Sequence, residues 1–581
     1  MKLIEALEIN RKPVAPDAER VKIALVCGFN PLHLNTFLTA HLRLALPDRS
    51  VKIHSGLYGD FLGNLSRLKE SECDAAFVVI EWSDLDARLG IRGLGSWAPA
   101  EFKDIAANIA ARCSQIERLV QELAKSLPLV VSFPTLLLPP ISYTASWQSS
   151  PFEAQIHSLI AALAAAVAQS PGVKVVNGQR LLQISPVAER MDAESELRSG
   201  FPYSLAHAVA MADSLVRLFH GAAPKKGIIT DLDDTLWSGI LGEVGAAGVS
   251  WDLDHHTHMH GAYQRLLHAL AESGVLVGVA SKNTASLVEE AFQREDIILP
   301  RNAVFPLEAH WSRKSESVER ILKAWNIGAD AVVFVDDSPM EIAEVQQKFP
   351  AMRGLHFPAG NNGAVLSLLY ELRDLFGKSV ILEEDKIRAG SLRQAQAFAE
   401  AGQASEGAGA SGEFLAQAEA ELALIWDKDP PDPRALELIN KTNQFNLNGK
   451  RHTEASWRAY LKDPRAFLLL VSYKDKFGPL GKIAVLAGTR QGKTLMIDHW
   501  VMSCRAFSRR IEYRCLEELF ARFEAEEAVF DYIATARNQP LQEFLGKLFA
   551  GEPAAGYHLS REDFVARTLP TFHQVRETAN G

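Results

Sequence analysis

Through roughly the first 220 residues, short apolar runs alternate with stretches of helical period. The runs Val21–Cys27, Asp74–Ile80, Pro128–Phe133 and Val173–Val176 read as strands, with helical patterns over 99–126 and 153–169 between them. Continuous β-branched runs separated by helices predict a parallel sheet covered on both faces. A connection through Gly221–Lys226 leads into a further strand, Gly227–Thr230, and residues 225–375 repeat the β-α alternation, with Val275–Ala280 and Ala331–Val335 as buried strands. Residues 376–400 read as charged helix, and Ala401–Gly412 is a small, Gly-rich run unable to bury a core. Beyond it, Ala466–Tyr473 and Ile483–Ala487 form a hairpin-like pair joined by the turn-rich Lys474–Gly481, which predicts an α+β region. The expected architecture is therefore an α/β multidomain chain: 1–222, 223–375, a helical connection and linker over 376–415, and 416–581. No internal repeat is visible. The apolar run Leu159–Ala168 is too short and Ala-rich to span a bilayer and reads as a buried helix.

Composition narrows the classes. A chain of 581 residues exceeds one hydrophobic core. With 47% hydrophobic and 23% charged residues it is an ordinary globular composition. The net charge of −10 argues against a general nucleic-acid binder. Five scattered cysteines (Cys27, Cys73, Cys113, Cys504, Cys515) show no zinc spacing and suggest free thiols in a reducing compartment. The mixed, acidic start Met1–Glu8 has no leader pattern. The expectation is a cytoplasmic protein with neither nucleic acid nor membrane as partner.

The densest chemistry lies in Ile228–Trp237, where Asp231 and Asp233 follow a strand in an Asp-x-Asp-x-Thr string ending at Thr235. That places two carboxylates at the C-terminal edge of a parallel sheet, the usual ligand crevice of α/β folds. Asp231 can attack phosphorus, and Asp233 can protonate the leaving oxygen and later activate water. Equatorial charge must also be neutralised. Ser281 and Asn283, after the strand Val275–Ala280, offer a phosphate grip; Lys314 offers a cation; Asp336 and Asp337, after Ala331–Val335, offer hard oxygen ligands for Mg²⁺.

An Asp-x-Asp alone is more often a turn or cap. Four motifs in this order, three of them after buried strands, resemble the haloacid dehalogenase superfamily. The resemblance implies a Rossmann-like parallel sheet with a Mg²⁺ cofactor. Asp231 and Asp336 would be side-chain ligands, Asp233 a ligand through its carbonyl, and Asp337 a second-rank one. Thr235–Gly245 and Phe334–Glu341 further resemble the FkbH-like branch, and the short spacing from Gly245 to Val275 leaves room for only a minimal cap. Leu438–Leu447, Asp475–Gly481 and Val501–Arg505 are similar to that branch's C-terminal region, an acetyltransferase-like (GNAT-like) α+β domain.

The resemblance implies dephosphorylation of a phosphorylated acyl donor such as 1,3-bisphosphoglycerate, with transfer of the glyceryl unit to the thiol of an acyl carrier protein. The alternative is a phosphatase joined to an N- or O-acyltransferase acting on a sugar or another small phosphorylated metabolite. Cys504 is the candidate acyl-carrying thiol, since a thiolate suits thioester formation and neighbouring arginines should lower its pKa. Arg505, Arg509 and Arg510 are candidates for a substrate or phosphopantetheine phosphate. The bland alternative for Cys504 is a buried, inert thiol. Arg505–Arg510 contains no glycine, so close backbone approach to a coenzyme A pyrophosphate is not expected there. Lys441–Asn446 is either a substrate-orienting or domain-contact loop, or a capped helix end.

The N-terminal β-α order resembles an SGNH-hydrolase-like domain. Cys27–Pro31 lacks the nucleophilic serine, and Gly200–Ser204 lacks the Asp-x-x-His, so a docking or structural role is expected. His33 and His207 are in principle candidate bases, but a lone histidine is more often structural. His256 and His260 would share one helix face as a feasible metal pair, although a solvated helix start is the plainer reading. Trp251 and Trp311 either shield the phosphate or merely pack.

Overall fold

The computed structural model describes the chain except residues 16–17, 94–97, 141–143, 222, 379–380, 382, 388–389, 395–414, 504–505, 536, 550–556 and 579–581. The expected linker run Ala401–Gly412, Cys504 and Arg505 therefore lie outside the described residues. The chain divides into two compact units, Met1–Ala222 and Ala223–Gly581.

The first unit is built on β1 (Glu19–Val26), β2 (Arg49–Ser55), β3 (Ala75–Val79), β4 (Leu129–Ser132) and β5 (Val173–Val175). All pair in parallel, in the order β2-β1-β3-β4-β5. Successive strand residues feed opposite faces. Ala24, Ala76 and Val131 meet the helices Phe102–Leu123 and Pro151–Ala168, whereas Ile23, Phe77 and Val130 meet Leu32–Ala45 and Leu205–Phe219. Strand β2 was not expected. It is an edge strand alternating polar residues with Val51 and Ile53, and most of it stays outside the core. The helix Pro151–Ala168 corrects the expectation of a buried helix. Only Phe152, Ile156, Leu163 and Val167 are buried, a single stripe at helical spacing, and several of its alanines face outward. By length and composition it is the one helix among the described residues that could cross a membrane. Its stripe is instead spent on the neighbouring helix, with Phe152 stacked on Phe102 at 4.4 Å.

The second unit holds two sheets. The first comprises β6 (Gly227–Thr230), β7 (Leu276–Ser281), β8 (Val304–Ala309), β9 (Val332–Asp336) and β10 (Arg353–His356), all parallel in the order β10-β9-β6-β7-β8. Every residue of β6, β7 and β9 is buried, which explains their unbroken apolar runs. The unexpected strands β8 and β10 lie at the edges and are only partly buried. Between Asp231 and the helix His258–Glu272 the chain forms only the short helix Leu241–Val244 and the isolated bridges Asp233–Trp237 and Ser238–Ser250.

The last sheet contains β11 (Glu421–Ile425), β12 (Phe445–Asn446), β13 (Ala466–Asp475), β14 (Gly478–Gln491), β15 (Thr494–Met502), β16 (Glu527–Phe530), β17 (Tyr557–Ser560) and β18 (Gln574–Glu577). The hairpin expected over 466–487 is present as β13 and β14. Its turn is tighter than Lys474–Gly481, because register shifts after Val471 and Tyr473 let pairing continue to Asp475–Gly478. Strands β15 and β16 run parallel over Thr494–Ile497 and Glu527–Phe530. Beyond that, β12 pairs with Val501 and Met502, and the Asn448 amide donates to the carbonyls of Asp498 and Asp531. The segment Phe445–Asn448 thus closes the space between the two strands from within.

Candidate active site

Strand β6 lies between β9 and β7, so residues following these three strands converge at one sheet edge. Asp231 directly follows β6, Ser281 ends β7 and Asp336 ends β9. The Asp231 amide donates to Val335 O at 3.0 Å, which locks the departing chain against β9. Thr230 Oγ1 donates to Asp231 O at 2.8 Å and accepts from the buried Tyr263 hydroxyl at 3.1 Å, fixing the backbone from below.

Lys314 begins the helix Lys314–Trp325 and is only 4% exposed. Its Nζ reaches Asp231 Oδ2 at 2.8 Å and Asp336 Oδ2 at 2.6 Å. Burial alone would lower the lysine pKa, but the two carboxylates outweigh it and hold the ammonium charged. One cation thus serves two buried acids. Asp336 Oδ1 accepts from Ser338 N at 2.9 Å. Burial, and then the neighbouring Asp231 charge, push the Asp336 carboxyl up; burial also raises Asp337. Oxygen atoms of Asp231, Asp336 and Asp337 lie within 4.8 Å of one another, and Asp231 Oδ1 is buried without a hydrogen-bond partner. An orphaned buried carboxylate oxygen beside two further acids is costly unless a cation completes it. Among the described residues this is the one such cluster of three metal-ligating side chains. All its donors are oxygens, which suits a hard cation.

The Asp233 side chain does not join that cluster. Its Oδ1 accepts from Trp237 Nε1 at 3.0 Å and Leu241 N at 3.2 Å, and its Oδ2 accepts from Asn283 Nδ2 at 3.0 Å. Burial raises its pKa despite these donors. Asn283 Nδ2 also donates to Ser281 Oγ at 3.2 Å, so Ser281, the last residue of β7, anchors the amide that holds Asp233. Thr235 is fully buried, with Oγ1 unpartnered, while its carbonyl is 2.9 Å from His260 Nδ1.

The remaining sequence candidates fall elsewhere. Arg509 is buried against Asp475 (3.4 Å) and the Tyr473 ring. Arg510 donates to Pro570 O at 2.9 Å and lies over Phe572. His256 precedes its helix in a left-handed turn (φ 61°), so it shares no helix face with the buried His260, and the metal-pair reading is corrected. Trp251 packs beneath Arg294 at 4.2 Å, whereas Trp311 is exposed. In the first unit, His207 is buried with Nε2 at 2.9 Å from Thr135 Oγ1 and Nδ1 at 2.9 Å from Ser185 Oγ, and burial drives its pKa down to about 3. It is a satisfied core histidine. His33 packs edge-on against Phe201. Sequence reasoning missed the Trp237 and Leu241 donors to Asp233 and the Tyr263–Thr230 support. Nothing in their local patterns marks them.

No protein-family model and no curated protein matches this sequence. Solved structures do. The chain is similar to the N-terminal part of the protein BF1531 from Bacteroides fragilis, described as containing a phosphatase domain and complexed with Mg. The TM-score is 0.52 at 19% identity, over 65% of this chain and 100% of that one. At that identity the likeness shows a shared fold. A second match, an uncharacterized protein from Corynebacterium glutamicum, has a TM-score of 0.20 and 16% identity over 26% of this chain and 98% of the other. A score that low carries no argument.

Proposed function

We propose that this protein is a Mg²⁺-dependent phosphatase that works through an aspartyl-phosphate at Asp231. The observation that carries the reading is Asp231 itself: one carboxylate oxygen on Lys314, the other buried and unpartnered, with Asp336 and Asp337 alongside. The description of BF1531 as a Mg-complexed phosphatase domain adds support.

Asp231, Asp336 and Asp337 would hold the cation, which when bound offsets charge between the nucleophile and the substrate phosphate. Asp231 attacks phosphorus, forming the P–O bond to its carboxylate as the bond to the leaving oxygen breaks. Asp233 gives its proton to that oxygen, a role favoured by the burial that raises its pKa. Asp233 then takes a proton from the water that attacks the aspartyl-phosphate, releasing phosphate and regenerating Asp231. Lys314 holds Asp231 in register and offsets charge on the transferring group. Asn283, itself bonded to Ser281, fixes the position of Asp233. The direct test is hydrolysis of an aryl phosphate with and without Mg²⁺, repeated on Asp231→Asn. Turnover should require Mg²⁺ and fall roughly 10⁴- to 10⁶-fold in the variant, the range seen when an enzyme loses a member of its nucleophilic machinery. Turnover that survives Asp231→Asn would rule the assignment out.

A finer reading concerns the substrate. The likeness of Val501–Arg505 and Leu438–Leu447 to an acyl-transferring C-terminal region supports a phosphorylated acyl donor of the 1,3-bisphosphoglycerate kind. The acyl unit would pass to a carrier-protein thiol, with Cys504 as the intermediate thiol. The alternative is N- or O-acylation of a sugar or other small phosphorylated metabolite. Incubation with labelled bisphosphoglycerate separates them: a thioester-bound label supports the first, an amide or ester product the second.

A further inference from the structure

A cleft of about 530 Å³ lies in the second unit, at the end of the parallel sheet opposite Asp231. Its walls include Lys226, which precedes β6, and Leu276, the first residue of β7. Asp231 follows the far end of β6, five residues beyond Lys226, or about 16 Å at ~3.3 Å per strand residue. The other wall comes from the helix Pro433–Lys441, the loop after it, and Met502 and Ser503 at the end of β15. Gln444 Nε2 donates to Asn326 Oδ1 at 2.9 Å and ties the walls together. This cleft is not the phosphoryl site.

Its charge runs against that of the whole protein. Among the described residues that line it, four cations, Lys226, Arg434, Lys441 and Arg537, face two carboxylates, Asp330 and Glu437, in a chain of net charge −10. Arg434 is 8% exposed. Its Nη1 donates to Glu437 Oε2 at 2.6 Å, but its Nε is buried with no hydrogen-bond partner. An arginine paired through one nitrogen, with another donor unused and buried, lacks an acceptor that a ligand would supply. Burial would raise Glu437, yet Arg434 and Lys441 outweigh it and hold it down to about 2, a sign of local positive potential. Arg537 is exposed at the place where the cleft continues into a second hollow of about 290 Å³, lined also by Arg451.

We infer that this cleft binds a phosphate monoester, the phosphate at Arg434 and Arg537 and the uncharged part along Leu276, Leu438 and Met502. An excess of two positive charges matches a phosphate that carries close to two negative charges near pH 7. The guanidinium fork suits phosphate oxygens. The volume fits a drug-sized molecule rather than a lone ion. The site stands independently of the phosphatase reading.

The test is calorimetric titration of the full chain carrying Asp231→Asn, in EDTA, so that turnover cannot consume the probe. The probes are 4′-phosphopantetheine and adenosine 5′-monophosphate, each against its dephosphorylated counterpart. At least one phosphorylated probe should bind tenfold or more tightly than its partner. Arg537→Glu should weaken that binding at least tenfold. This side chain is exposed and has no hydrogen-bond or ion-pair partner among the described residues, so the variant should fold. Arg434→Met should act in the same direction, with circular dichroism reporting its folding. Binding of neither phosphorylated probe, equal affinity with and without phosphate, or an Arg537→Glu affinity within twofold of the parent would each overturn the inference.

Discussion

The two parallel five-stranded sheets treat buried charge at their strand ends in opposite ways. After β3, Glu81 is buried and fully served. It accepts from Thr135 N at 3.1 Å, Thr135 Oγ1 at 2.6 Å and the Tyr203 hydroxyl at 2.7 Å, while Arg190 donates to Thr135 O and Ser185 O. His207 sits between Thr135 and Ser185 with both nitrogens engaged. After β6 and β9, by contrast, Asp231, Asp336 and Asp337 crowd around one lysine, and an oxygen is left over. Both sheets are five-stranded and all-parallel, although their strand orders differ, so a parallel sheet alone does not make a site. What differs is whether the chain satisfies its own buried groups or leaves that to a ligand.

Breaking each network should therefore have different consequences. The largest effect is the loss of roughly 10⁴- to 10⁶-fold in turnover for Asp231→Asn, with little change in unfolding temperature, because a repelling charge is removed and Lys314 keeps Asp336. Lys314→Met leaves two buried carboxylates facing each other. In EDTA it should cost ~3–5 kcal/mol in denaturant unfolding, and Mg²⁺ should restore more stability to it than to the parent. Glu81→Ala strands the Thr135 and Tyr203 donors and should cost ~3 kcal/mol, with aryl phosphate turnover per folded molecule unchanged.

A smaller effect comes from His207. Its folded pKa near 3 lies below the ordinary value of 6.5, so the unfolded chain binds the proton more readily. The stability is full above pH 6.5 and is lost as pH falls toward 3. Between pH 7 and pH 5 the first unit should lose ~2 kcal/mol, a slope that His207→Gln should flatten.

The same contrast explains what the sequence could reveal. Strands β6, β7 and β9 are buried on both faces, so each reads as an unbroken apolar run, and the polar residues that end them stand out. Asp231, Ser281 and Asp336 are legible for that reason. Edge strands β2, β8 and β10 are half-exposed, and their mixed patterns resemble loops. The helix Pro151–Ala168 reads as buried because alanine is apolar in composition yet small enough to sit on a surface. Long-range partnerships left no local trace. Glu81 with Tyr203, 122 positions apart, and Arg434 beside a cleft shared with Lys226 emerge only when the chain is folded.

The most direct measurement is the fate of phosphorus on the protein. With a radiolabelled phosphoryl donor, Mg²⁺ and an acid quench, the reading places a hydroxylamine-labile label on the peptide spanning Ile228–Trp237, lost in Asp231→Asn. Label on another residue, or full turnover in a chain whose Asp231 never carries phosphate, would contradict it.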